Sequence, residues 1–383
     1  MPRQRFLRDL TKLGEGRAIE LDAIRGLAIL LAVGSHINRY TGNEVVDAVL
    51  APGILFGEAG VDIFFVLSGF LIGGLILREI ENTGHFRAGR FLVRRAFRLW
   101  PVLYLFLLMQ LVRQAFPAGQ FLPQVLLNVQ NYFRTPLSHL WSLAVEEQFY
   151  FAAALVLPFL VRRNLSARSL FLGLAAVGIV SGGLRTIMVL RGADPLSIQS
   201  ETHYRLDVLI VGILLALVKL RRPRYYRGLQ RHRGLAAAFA VAICGVLAAL
   251  SSHSDRASIA LDYPFQAALG ASLILAADGI ALGRHARSAL KPLALMGLYS
   301  YSMYIWHVGI GRQVRAYAEA QSGSGVLATL ASYAAVIAFS VAITRLVERP
   351  MIDIRDRLFP SYHSKSAREL ADDAALAAPR ASI

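Results

Sequence analysis

Apolar windows long enough to cross a bilayer recur along this chain at about 20–38, 58–77, 99–117, 140–160, 169–190, 203–219, 234–251, 262–282, 296–311 and 325–347. A run of roughly 20 such residues spans the hydrocarbon core as one helix. The pattern therefore predicts an all-α membrane protein, a bundle of about ten transmembrane helices. The connecting loops are short and leave no room for an appended soluble domain. One stretch, 118–138, contains Phe121-Leu122-Pro123 and Val125-Leu126-Leu127 but is too short and too polar to span. It is expected to lie as a re-entrant or interfacial helix on the outer side. No internal repeat is visible, which weakens a transporter built from inverted repeats.

Charge orients this bundle. The 383 residues carry a formal net charge of +16. In a soluble chain that excess would raise nucleic acid as a partner. Here the basic residues sit between the apolar runs, so no nucleic-acid partner is expected. With the N-terminus inside, the inner segments hold 31 Lys and Arg and the outer loops and helix ends hold nine. An even helix count with both termini cytoplasmic satisfies the positive-inside rule, and an odd count would spoil it. The expected domains are a cytoplasmic basic segment at 1–19, a transmembrane domain at 20–350, and a cytoplasmic tail at 351–383, largely disordered. The first apolar run reaches spanning length and contains Asp22 and Arg25, unlike a cleavable signal core, so it is expected to be retained. Cys244 is the only cysteine; it excludes an intrachain disulfide and any Cys-rich metal motif, and no metal is expected.

Six blocks carry a resemblance. LDAIRGLAILLAVGSHI (21–37), GVDIFFVLSGFLIGGLI (60–76), RFLVRRAFRLWPVLYL (90–105), HLWSLAVEEQFYF (139–151), YRLDVLIVGILLA (204–216) and YSMYIWH (301–307) stand in an order similar to that of the acyltransferase 3 family of integral membrane O-acyltransferases. The similarity covers about residues 18 to 350. It implies transfer of an acyl group, commonly acetyl from acetyl-CoA, onto a carbohydrate hydroxyl of a surface polysaccharide, lipopolysaccharide, peptidoglycan or glycoside. It also implies a bacterial source and a multi-pass protein of the inner membrane. Some relatives carry an extracellular esterase-like domain, for which this chain is expected to have no length. The family's Arg-to-His pair with ten residues between falls on Arg25 and His36, and its Arg-x-x-Arg motif on Arg95 and Arg98.

The residues make their own case. Ionisable groups within a span are costly and usually face a bundle interior or a substrate path. Arg25 and His36 are eleven apart, hence on one helix face and about 16 Å apart along the axis, with Asp22 near the same stripe. A sugar hydroxyl needs a base as it attacks a thioester. His36 is the candidate, because imidazole titrates near the working pH and can return the proton to the departing thiolate; the alternative is a structural histidine bonded across helices. Arg25 lines the donor path, or pairs with Asp22 three residues away, or both. Ser142, Glu146 and Tyr150 form an i, i+4, i+8 stripe, and Glu146 is expected either to orient His36 or to hold the acceptor, with Ser142 and Tyr150 as substrate contacts. Glu147 points about 100° away from Glu146.

Arg90, Arg94, Arg95 and Arg98 precede Trp100-Pro101. They either anchor the inner edge of a span or, for Arg95 and Arg98 with Arg94 beside them, grip the phosphates of coenzyme A bidentately. Asp62 and Ser68 are weaker candidates, Ser68-Gly69 being better suited to close helix packing. Arg205 and Asp207 make either an acceptor contact or a local ion pair, and His307 lines the cavity or belongs to an aromatic belt with Tyr304 and Trp306. Direct transfer is expected, since no residue is a persuasive covalent nucleophile. No tightly bound cofactor is expected; the partners are acyl-CoA as donor substrate, the carbohydrate acceptor and the bilayer. A proton-coupled transporter or glycan flippase would use the same buried His, Glu and Arg, but has no need of a phosphate cradle.

Overall fold

The structure, a computed structural model, describes residues 18–163, 165–253 and 255–360. Most of the expected basic segment 1–19, and 361–383 of the expected tail, lie outside the described residues. Among the described residues there are helices and no strands. In chain order they are α1 (Ile19–Ile37), α2 (Glu44–Leu55), α3 (Gly57–Thr83), α4 (Ala88–Val112), α5 (Leu122–Leu126), α6 (Trp141–Arg162), α7 (Ala167–Leu190) and α8 (Pro195–Ser200). They continue as α9 (Leu206–Arg221), α10 (Pro223–Arg231), α11 (Arg233–Ser251), α12 (Arg256–Ala277), α13 (Arg284–Ser322), α14 (Gly325–Ile343) and α15 (Arg349–Leu358).

Each of the ten predicted windows holds a helix, and seven of the helices among the described residues are long and apolar enough to cross a membrane. The other three windows fall on α1, α9 and α13. The first carries Glu20, Asp22 and Arg25, the second has 16 residues, and the third, 39 residues long, has a middle rich in Ser, Tyr and His. Two of these, α1 and α13, lie at the centre of the bundle, where α1 buries 13 of its 19 residues. In α1 and α13 the polar positions are tolerated because a side chain facing the bundle interior meets a polar partner instead of lipid. The most lipid-like helix behaves in the opposite way: α11 buries only Ala240, Ile243 and Leu247.

Two helix crossings are made at backbone distance. A Cβ on Gly26 would lie 1.8 Å from the Leu293 carbonyl oxygen, and one on Gly297 would lie 1.9 Å from that of Asp22. The α1–α13 pair thus has a glycine on each side of the contact. Gly69 and Gly212 do the same for α3 and α9, against the carbonyls of Leu209 and Val66 at 2.0 and 2.1 Å. Small residues let membrane helices approach this closely and gain dispersion contacts along their length. Gly297→Val is therefore expected to cost about 3 kcal/mol or more, the upper end for overpacking, because the obstacle is a main chain and not a side chain that can rotate. Thermal unfolding of the purified protein in detergent measures it.

Residues 118–138 form no span. Short turns surround α5, with Phe121 and Val125 buried against the bundle and Leu126 and Leu127 exposed. Past α14 the helix passes through a π-turn at Thr344–Glu348 and continues as α15. Residues 351–358 are thus helical and not the start of a disordered tail. Arg94 of α4 holds this helix by an ion pair to Asp356 at 3.0 Å and a hydrogen bond to the Phe359 carbonyl.

Candidate active site

The N-cap and first half of α4 bring Arg87, Arg90, Arg94, Arg95 and Arg98 to one end of the bundle. There they line a vestibule of about 390 Å³. Its walls hold eight arginines, with Arg25, Arg78 and Arg355 added from α1, α3 and α15, against a single carboxylate, Glu79. Leu71, Leu75 and Phe91 supply an apolar side. Such a space suits a ligand with several phosphates and an apolar or amphipathic arm.

Arg25, Arg95, Arg98 and Leu71 also line a second, smaller cavity of about 90 Å³ deeper in the bundle. They form the neck between the two. The inner chamber is lined by Ser68, Ser142, Glu146, Tyr150 and Tyr304, so all three members of the predicted 142–146–150 stripe face one space. Ser68 Oγ donates to Glu146 Oε1 at 2.6 Å, and the Tyr150 hydroxyl donates to Oε2 at 2.9 Å. The Arg95 guanidinium lies over the Tyr150 ring, 4.4 Å from its centroid. Asp22 and Arg25 make the expected i,i+3 pair at 3.5 Å, and Arg25 reaches both cavities as well.

His36 stands in the last turn of α1, beyond the chamber. Its Nδ1 lies 3.2 Å from the Ala32 carbonyl. Ser35 Oγ lies 3.0 Å from the same nitrogen; in the tautomer with its hydrogen on Nδ1, directed at the carbonyl, Nε2 is the basic nitrogen. The ring packs edge to face on His307, centroids 5.0 Å apart, and His307 packs in turn on His139 at 5.6 Å. His307 is fully buried; its Nδ1 donates to the Tyr304 carbonyl at 2.7 Å, and its Nε2 has no hydrogen-bond partner. Tyr304 joins the two regions. Its hydroxyl accepts from Ser142 Oγ and donates to the His139 carbonyl, both at 2.6 Å.

The structure does not bring Glu146 to His36. Both carboxylate oxygens are engaged by Ser68 and Tyr150, and His36 instead meets Ser35, the Ala32 carbonyl and the His307 ring. Arg94 lines the vestibule, but its guanidinium is divided between Asp356 and the Phe359 carbonyl. Arg205 and Asp207 do not pair with each other. Arg205 is 1% exposed and ion-paired to Asp62, which is fully buried, while Asp207 forms a bidentate pair with Arg185 at 2.6 and 2.7 Å. Tyr263 stacks on both guanidiniums at 4.7 Å. Neither Arg205 nor Asp207 lines the vestibule or the chamber. The reason lies in local structure: Arg205 closes a 3-10 turn at the start of α9, which turns it inward toward α3.

This knot yields a prediction. Asp62→Ala leaves a buried guanidinium without its counter-ion and is expected to destabilise by about 3–5 kcal/mol. The double variant Asp62→Ala/Arg205→Met recovers much of that in a thermal-unfolding cycle.

Sequence reasoning missed three contributors. His139 lies before α6 in a turn, and nothing in its spacing relates it to residues 36 and 307. Ser68 was better matched to packing, yet its hydroxyl is a partner of Glu146. Arg355 fell within the segment expected to be a cytoplasmic tail, with no chemistry assigned to it. Only the i+3 step from Tyr304 to His307 offered a readable signal for the histidine cluster.

Comparison with known proteins fits this geometry. The family described as an acyltransferase domain, acyltransferase 3, matches residues 19–345. Over 318 residues the chain is 27% identical to the peptidoglycan O-acetyltransferase OatA of Listeria monocytogenes, covering 76% of this chain and 49% of that protein. Over 329 residues it is 30% identical to the O-acetyltransferase OatA of Staphylococcus aureus, covering 78% of this chain and 51% of that one. The chain thus spans about half the length of the curated relatives it matches. No solved structure matches it. A match running from the start of α1 to the π-turn takes in the arginine-lined neck, the Glu146 chamber and the histidine cluster alike, and this chain belongs to the acyltransferase 3 family.

Proposed function

We propose that this protein is a membrane O-acyltransferase that moves an acyl group, acetyl by preference, from acyl-CoA to a carbohydrate hydroxyl, with a peptidoglycan or related surface glycan as the acceptor class. The observation that carries this reading is the continuity of a polyphosphate-sized basic vestibule with a polar inner chamber through a neck of Arg25, Arg95 and Arg98. The positive-inside distribution of charge along the chain supports a vestibule on the cytosolic side, where acyl-CoA is made, with His36 toward the outer side, where a surface glycan is met.

In this reading the donor's phosphates stay among the arginines and its thioester arm passes the neck. Arg95, fixed over Tyr150, and Arg25, fixed by Asp22, line that passage with positive charge that holds the anionic donor while its arm reaches through. Glu146 holds Ser68 and Tyr150 in place, so the chamber wall is preorganised. The acceptor oxygen approaches His36 Nε2, loses its proton to it and attacks the thioester carbonyl carbon. The carbon–sulfur bond then breaks and the proton passes to the coenzyme A thiolate. Ester and free thiol are the products, and no covalent enzyme intermediate is needed. His307 backs the His36 ring and fixes its orientation.

The test is transfer or hydrolysis of radiolabelled acetyl-CoA by purified protein in lipid. Turnover in the wild type, lost in His36→Ala with acetyl-CoA still bound, supports the assignment. A wild type that neither binds nor consumes any acyl-CoA, while a glycan still crosses the membrane, replaces it with a transporter.

A further inference from the structure

Helix α15 lies beyond residue 345, where the family match ends, yet it forms part of the vestibule wall. Three contacts seat it there: the Arg94 ion pair to Asp356, the Arg94 hydrogen bond to the Phe359 carbonyl, and the packing of Phe97 on the Phe359 ring at 5.9 Å. The seating turns Arg355 inward. Its side chain is only 14% exposed and lines the same space as Arg98. Burying a guanidinium beside other guanidiniums is unfavourable unless something negative joins them. The nearby anion is Asp356, whose Oδ1 accepts from Arg355 Nε and Nη2 at 3.0 and 2.8 Å and also meets Arg94. One half-exposed carboxylate is thus shared by two arginines. The cluster keeps an excess of positive charge directed into the cavity.

We infer that α15 completes the donor site, and that Arg355 binds a phosphate of the acyl-CoA opposite the Arg95–Arg98 face of α4. This rests on the acyl-CoA reading above. The guanidinium reaches the ligand from a different helix than the other vestibule arginines of α4, so a phosphate is gripped from two sides. Asp356 keeps Arg355 aimed into the cavity and competes with the phosphate for it.

Two donors separate a phosphate ligand from a mere clamp. Acetyl-CoA carries the phosphates, and S-acetyl-pantetheine carries the same thioester arm without them. With Arg355→Gln, binding of acetyl-CoA to protein in lipid nanodiscs is expected to weaken about tenfold, and use of S-acetyl-pantetheine to remain at the wild-type level. Arg355→Lys, which keeps the charge but not the fork, falls between. Asp356→Asn is expected to tighten acetyl-CoA binding by removing the competing carboxylate. The inference is overturned if Arg355→Gln binds acetyl-CoA as the wild type does, if it impairs both donors equally, or if Asp356→Asn loosens binding as much as Arg355→Gln. Should Arg355→Gln fail to fold, the Lys and Asn variants decide alone. A wild type that does not distinguish the two donors sinks the acyl-CoA reading itself, a different result from any of these.

Discussion

Replacing His36 with alanine is expected to lower acyl transfer by about 10²–10⁴-fold, the range for loss of a positioned general base. Donor affinity is expected to stay unchanged, because His36 lines neither the vestibule nor the chamber. This separation of effects is what distinguishes a base from a structural histidine. A packing role would show as a lower unfolding temperature and reduced donor binding together. His36→Gln sharpens the contrast, since it preserves a hydrogen-bonding side chain and removes the basic nitrogen. A rate restored by Gln would count against general-base chemistry.

The second large effect falls on the donor. Arg95→Ala is expected to weaken acetyl-CoA binding by about 10- to 100-fold, corresponding to the loss of charge-assisted hydrogen bonds. Arg95 reaches both the vestibule and the chamber and lies over Tyr150, so catalysis at saturating donor is expected to fall as well. Arg95→Lys retains charge without the planar fork and should recover part of the affinity but little of the rate. Isothermal titration with the non-reactive donor analogue coenzyme A, alongside initial rates at saturating acetyl-CoA, reads the two effects apart. The rise in dissociation constant should be larger at low salt, where phosphate contacts are least screened.

Much of this site is legible in the sequence because membrane burial makes polar residues conspicuous. Asp22, Arg25 and His36 stand out in an apolar run, and the helical period alone groups Ser142, Glu146 and Tyr150, which do share one chamber. Local period says nothing of partners from other helices. It did not reveal that Glu146 is held by Ser68, 78 residues away, or that Arg205 and Asp207 each find a partner elsewhere and leave their neighbour. The arginine block reads either as anchoring or as ligand binding, and the structure divides it: Arg94 is tied to α15, while Arg95 and Arg98 form the neck. Residues 351–358 misled because their charges look like those of a solvated tail. In the fold Asp356 is paired across to Arg94 of α4 and also holds Arg355.

The glycine contacts between α1 and α13 bear on how the proposed acyl transfer would be carried through the interior. With Gly26 against the Leu293 carbonyl and Gly297 against that of Asp22, neither helix can slide or roll on the other without a main-chain collision. Arg25, His36, Tyr304 and His307 are all mounted on these two helices, so they keep a constant spacing, like marks on a ruler. Rocking of one half of the bundle against the other cannot bring the neck to the histidines through this pair. In the proposed reaction the approach would fall instead to the arm of the donor and to rotation of single side chains, foremost Tyr304, whose hydrogen bonds to Ser142 and the His139 carbonyl stand between the chamber and the histidines.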